Sequence, residues 1–170
     1  MTFDPRKHNR RSIRLKGYDY SRPGAYFVTV CIHDRESLFG EITSRVMHLN
    51  DMGLIAQRTC FDLPRHYLHV VLDAMVIMPN HLHGVIVLTE DDEADKPRQG
   101  LPEIVRGFKS YSARRINALR QTPGLPVWQR NYYEHIVRDQ EDWERIRDYI
   151  QINPQEWDRD LENPFGRGGS

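Results

Sequence analysis

The chain has 170 residues, 39% hydrophobic and 28% charged, with 24 basic residues set against 24 acidic ones. That is one ordinary domain with room for a full core, and the composition excludes a disordered or fibrous chain. No apolar run approaches the roughly 18 residues of a membrane helix, the early Asp4, Arg6, Lys7, Arg10 and Arg11 lead us to expect no secretory signal, and two cysteines are too few for a disulfide scaffold. A reduced, cytoplasmic protein is expected, with Cys31 in its core.

Zero net charge taken alone speaks against a nucleic-acid partner, but the charges are segregated. Residues 1–17 hold Arg6, Lys7, Arg10, Arg11, Arg14 and Lys16 against one acid, Asp4. Residues 98–120 hold Arg98, Arg106, Lys109, Arg114, Arg115 and Arg120 against Glu103. Such clustering builds a positive face within a neutral total.

In chain order, residues 1–20 read as a basic arm, and Pro23-Gly24 marks a turn. Ala25–Ile32, β-branched and aromatic, reads as a strand. Residues 45–62 carry Val46, Leu49, Met52, Leu54, Ile55 and Phe61 at mostly helical spacing, which predicts a helix. Leu68–Met78 and His81–Leu88 read as strands joined by the tight turn Met78-Pro79-Asn80, hence an antiparallel hairpin. Glu90–Gly100 reads as a loop, and Leu101–Leu119 as a helix with Pro102 in its first turn. Trp128–Val137 reads as a fourth strand. Asp139 is the expected N-cap of a last helix that runs to about Asn153 and is closed by Pro154. Residues 159–170 read as a disordered tail. The order β-α-β-β-α-β-α predicts an α+β, ferredoxin-like antiparallel sheet with helices on one face.

His81-Leu82-His83 opens the third strand. Alternation turns both imidazoles to one side, about 7 Å apart along the strand, where they can share a metal ion. The plainer reading of a bare His-x-His is two histidines satisfied by backbone groups, and two imidazoles alone leave a metal site incomplete. On the last helix, Trp143, Ile146 and Ile150 define the face toward the sheet, and Tyr149 and Asn153 flank it one turn apart. A phenol is a nucleophile and an amide oxygen a hard ligand, so this pair beside two histidines suits phosphoryl chemistry. Tyr111 is a rival nucleophile among cations, but position 115 offers no oxygen ligand. Arg106, Lys109, Arg114 and Arg115, interleaved with Phe108 and Tyr111, suit a single DNA strand by charge and stacking. Glu134-His135 reads as structural.

Four stretches together resemble the single-tyrosine HUH transposases, IS200-like, and within them the REP-associated tyrosine transposase branch. They are Gly17–Thr29, Val76–His83, Trp128–Arg138 and Asp148–Pro154, spanning residues 17–154 of the chain. The resemblance implies an HUH-type domain over residues 21–158, with His81, His83 and Asn153 as metal ligands and Tyr149 as nucleophile. It also implies Mg2+ or Mn2+, single-stranded or hairpin DNA as partner, cleavage through a 5′-phosphotyrosine link, and a homodimer in some members. A catalytically idle DNA-binding protein on the same scaffold, and a histidine-dependent phosphoesterase without a covalent tyrosine, are the other readings that these residues admit.

Overall fold

The computed structural model describes residues 15–90, 97–160 and 162–163. Strand β1 (Gly24–Cys31) is central; β4 (Val70–Met78), β5 (His81–Leu88) and β6 (Tyr133–Ile136) complete a four-stranded sheet in the order β4-β5-β1-β6. All neighbours are antiparallel, which is the ferredoxin-like arrangement expected from the element order. The hairpin of β4 and β5 turns at Pro79-Asn80, as the sequence predicts. Among the described residues, no helix is long and apolar enough to cross a membrane.

Helices α1 (Asp51–Phe61), α3 (Leu101–Leu119) and the short α2 (Leu63–His66) accompany the sheet, with α4 (Gln140–Ile152) after it. They do not all share one face. Tyr26, Val28 and Val30 of β1 pack with Ala56 and Cys60 of α1 and with Ile104, Val105 and Phe108 of α3. Ala25 and Phe27, which alternate with them, pack with Val85, Ile146 and Ile150, so α4 covers the opposite side. The reason lies in β1 itself, which is apolar on both faces and needs a layer on each.

Two elements differ from expectation. Val46–Leu49 is not helical but forms strand β3, paired with β2 (Gly40–Thr43). Ser44 and Arg45, both at positive φ (51° and 64°), make the tight turn between them. At Gly40, with φ 137°, a Cβ would lie 2.0 Å from the His48 carbonyl oxygen, so only glycine fits there. Helix α1 then starts after Asn50, whose Oδ1 accepts from the Gly53 amide at 2.9 Å. The fourth strand is also shorter than Trp128–Val137. Trp128 keeps only an isolated bridge to Ile32, because the carbonyls of Gln129, Arg130 and Asn131 turn toward the Lys109 ammonium at 2.9–3.2 Å.

Helix α4 begins as the sequence predicts, with Asp139 accepting from the Asp142 amide at 2.8 Å. It ends at Ile152, and Asn153–Arg159 continues as a 3-10 segment. Residues beyond 158 do not all read as a tail: Asp160 and Glu162 are buried against the sheet's His81 end. Cys31 is half-buried and Cys60 buried, and both are free thiols.

Candidate metal and nucleophile site

His81 and His83 point to the α4 side of β5, and both are fully buried. Their Nε2 atoms face each other at 3.0 Å. The remaining ring nitrogens are held from behind, His81 Nδ1 by Asn80 Oδ1 and His83 Nδ1 by Thr29 Oγ1, each at 2.7 Å. Asn80 can be placed in only one sense, because its Nδ2 donates to the Glu162 and Arg35 carbonyls at 2.6 and 3.4 Å. Its Oδ1 must therefore accept, which puts the proton of His81 on Nδ1 and leaves the Nε2 lone pair facing the site.

Burial holds both imidazoles neutral: His81 is pushed down to about 3 and His83 well below its ordinary range, the latter also by its neighbour His81. Neutral imidazole is the metal-binding form.

The third group was not visible in the sequence. Asp160, which follows the 3-10 segment as its C-cap, brings Oδ2 to 3.6 Å from His81 Nε2. One ligand atom from each of His81, His83 and Asp160 lies within 4.8 Å of the others. Burial raises the Asp160 carboxyl to about 6, against the lowering effect of the Glu162 backbone N–H that donates to its Oδ1 at 2.9 Å. Trp157 lies against the His81 ring, centroids 6.0 Å apart, and Arg35 pairs with Glu162 at 3.5 Å. The segment is thus latched over the histidines from both sides.

Asn153, the ligand expected from the resemblance, is 2% exposed, and its Oδ1 is buried without a hydrogen-bond partner. Asp160 Oδ2 is likewise buried and unsatisfied. A buried acceptor with no donor costs roughly 1–3 kcal/mol. Asp160 Oδ2, together with imidazole nitrogens that face each other, forms a donor set that fits a divalent cation.

Tyr149, half-buried on α4, places its hydroxyl 3.4 Å from His83 Nε2 and its ring edge-on to His83 and Phe27. Tyr111 is instead exposed on α3, across the sheet. The structure therefore brings Tyr149, and not Tyr111, to the histidines. His135 is bound to Asp142 at 2.8 Å and so ties β6 to the start of α4; Glu134, opposite Val28, is buried toward α1 and α3.

The residues expected to meet DNA divide. Arg6, Lys7, Arg10, Arg11 and Arg14 lie outside the described residues, and Lys16 is exposed. Arg106 is exposed on α3, and Arg114 and Arg115 lie over the Tyr111 ring at 5.3 and 5.1 Å. Arg115 also approaches Asp62 at 3.9 Å. Lys109 is committed elsewhere, to the three carbonyls before β6, and burial lowers it to about 8.

Known proteins place these observations. The sequence model of the family described as "Transposase IS200 like" matches residues 26–153. A Haemophilus influenzae protein carrying the description "Uncharacterized protein" is 40% identical over 168 residues, covering 90% of this chain and 92% of its own. A "REP-associated tyrosine transposase" of Escherichia coli is 28% identical over 136 residues, covering 79% of this chain and 68% of its own. A solved REP-associated tyrosine transposase bound to a REP hairpin has the same fold, with TM-score 0.58 at 21% identity, over 85% of this chain and 74% of that one. A sheet that buries two histidines under a tyrosine-bearing helix, together with a match from Tyr26 to Asn153, makes this chain a member of the IS200-like transposase family.

Proposed function

We propose that this transposase is a metal-dependent enzyme that nicks and rejoins single-stranded DNA through a covalent link between Tyr149 and a 5′-phosphate. The observation that carries the reading is the Tyr149 hydroxyl 3.4 Å from His83 Nε2, beside the cluster of His81, His83 and Asp160. In the reaction the Tyr149 oxygen forms a bond to phosphorus in line with the departing 3′-oxygen. The P–O3′ bond breaks, the phenol loses its proton, and the 3′-oxygen leaves as a hydroxyl. One phosphodiester is exchanged for another, so the reverse step rejoins strands without a nucleotide cofactor.

His81 and His83, with Asp160 and Asn153 as the oxygen donors, would hold Mg2+ or Mn2+. A divalent ion there supplies electrostatic stabilisation of the charge that develops on the phosphoryl oxygens. The protein's part is positioning. Asn80 and Thr29 fix the imidazoles, and Phe27 supports the Tyr149 ring. The residues 6–16 cations and Arg106, Arg114 and Arg115 are assigned to phosphate contacts, which hold the strand without reading its sequence. Hairpin DNA is the proposed ligand class, motivated by the REP hairpin on a relative of the same fold. A cytoplasmic location follows from that partner.

The test is incubation of the full chain with labelled hairpin DNA that carries a single-stranded flank, with and without Mn2+. A covalent protein–DNA adduct that appears only with metal is expected. Tight hairpin binding with no adduct in Mg2+ or Mn2+ would instead make the chain an idle DNA-binding protein.

A further inference from the structure

Helix α4 rests on a small apolar cluster. Among the described residues, Ala25, Phe27, Val85, Ile146 and Ile150 are buried there, edged by partly buried residues such as Val76 and Val137, whereas the opposite face carries the main core. From α4, Ile146 and Ile150 are buried in the small cluster and Trp143 and Tyr149 pack partly buried at its edge. A helix on so small a seat can roll about its own axis, and the phenol it carries would roll with it. The structure shows a polar stop against that motion.

Asp73 accepts from Arg147 Nε at 2.8 Å and from the guanidinium NH2 group at 2.5 Å, and from Trp143 Nε1 at 2.9 Å. The Arg147 guanidinium also lies 4.9 Å above the Trp143 ring. Asp73 reaches α4 because β4 is bulged there. Leu72 pairs with Ile86 and Ala74 with Val85, so Asp73 is the extra residue. Below the bulge Met75 and Ile77 face the main core, and above it Val70 and Leu72 do so as well. In an unbroken strand, odd and even positions could not share a face. The extra residue restores the apolar pattern and frees one carboxylate for α4.

At about 100° per residue, Trp143 and Arg147 lie on one flank of the Ile146–Ile150 stripe and Tyr149 on the other. The two flanks are roughly 120–160° apart around the helix. A roll of about 10° that loosened Arg147 would move a phenol oxygen some 6–8 Å from the axis by at least about 1 Å. Displacements of that size cost on the order of a hundredfold in rate when reacting atoms must be aligned.

We propose that Asp73 is a positioning residue for the transposase reaction: through Arg147 and Trp143 it sets the rotation of α4 and so the placement of the Tyr149 oxygen. This rests on Tyr149 being the nucleophile. The Arg147 and Trp143 bonds also hold the Asp73 carboxyl below its ordinary range, so it stays ionised at every working pH.

The experiment compares wild type, Asp73→Asn, Asp73→Ala and Arg147→Ala as full chains with Mn2+ and labelled hairpin DNA. In Asp73→Ala and Arg147→Ala, the first-order rate of adduct formation at saturating DNA should fall at least tenfold. The Kd for hairpin and for Mn2+ should stay within twofold. Amide exchange measured without DNA should rise across α4 and stay unchanged in β1 and β5. Asp73→Asn, which keeps the bulge and an acceptor for Trp143, should fall between the two and guards against a simple folding failure. An adduct rate within twofold of wild type in Asp73→Ala overturns the proposal, as does exchange that rises equally through the sheet. No adduct from wild type removes the nicking reading and this proposal with it; an active wild type beside an equally active Asp73→Ala removes this proposal alone.

Discussion

The Asn80 side-chain oxygen lies 2.7 Å from His81 Nδ1, while the amide nitrogen of the same residue grips the Glu162 carbonyl at 2.6 Å. One side chain thus sets the tautomer of a histidine in the candidate metal site and ties down the segment that delivers Asp160. Replacing it by alanine removes both effects. Asn80→Ala should weaken Mn2+ binding by about 10–100-fold and cost roughly 1–3 kcal/mol of stability through the buried groups left unpaired. Calorimetric titration and thermal unfolding measure the two. Unchanged metal affinity would show that the tautomer needs no help.

The ligand set is tested by subtraction. His81→Ala and His83→Ala should each abolish detectable Mn2+ binding, since one imidazole and a carboxylate hold such an ion poorly. Asp160→Asn and Asn153→Ala separate the two oxygen donors. Both should weaken binding, and Asp160→Asn more so, because it removes the only carboxylate in the cluster. Asp160→Asn with wild-type affinity would leave Asn153 as the oxygen ligand.

Tyr149→Phe keeps ring and packing and removes only the hydroxyl, whose contact with His83 is long at 3.4 Å. Stability should change by less than about 0.5 kcal/mol, with hairpin and Mn2+ binding retained and the adduct abolished. Tyr111→Phe should still form the adduct. A Tyr149→Phe chain that nicks DNA at close to the wild-type rate would point to water as the nucleophile and to a phosphoesterase.

The thiols give a test by pH. Burial raises Cys60 and Cys31 to about 12 from an ordinary value of 9, so at pH 8 the reactive thiolate is scarcer by about a thousandfold. Alkylation by iodoacetamide at pH 8 should be negligible in the folded chain for Cys60 and slow for Cys31, and should rise as the pH is increased toward 12. Rapid modification of Cys60 at pH 8 would show that α1 opens readily.

Deleting residues 1–16 should weaken binding to every single strand alike. It should also flatten the salt dependence, by about 0.7 in log–log slope for each phosphate that the arm neutralises. An unchanged slope would leave the arm without a role in binding.

Much of this was legible in the sequence because it is local. The Pro79-Asn80 turn, the alternation that aligns His81 with His83, and the Asp139 cap each lie within a few residues of what they determine. The β2–β3 hairpin was not legible, because Ser44 and Arg45 adopt positive φ without the glycine or asparagine that usually marks such a turn, and Val46 and Leu49 also fit a helical stripe. Asp160 escaped for a different reason. Pro154 reads as a stop, yet proline also opens a 3-10 turn, and here the chain runs on for another turn or two before reaching the histidines. The placement of α4 on the far face depends on β1 being apolar on both sides, a pattern that a short strand shares with any buried segment.

The separations along the chain carry a further consequence, for the order in which the molecule is assembled. His81 and His83 belong to a hairpin that closes through neighbouring residues, whereas Tyr149 meets His83 across 66 positions and Asn80 meets Glu162 across 82. Closing long loops comes late in folding. A half-folded chain would hold its two imidazoles before it holds either Tyr149 or the latch, so the attachment to DNA proposed above would wait until the whole domain has formed. For the reaction proposed above, whose intermediate is a covalent link to DNA, that sequence of events would be a safeguard. Pulsed hydrogen exchange during refolding, with β4–β5 protected ahead of α4, would show it directly.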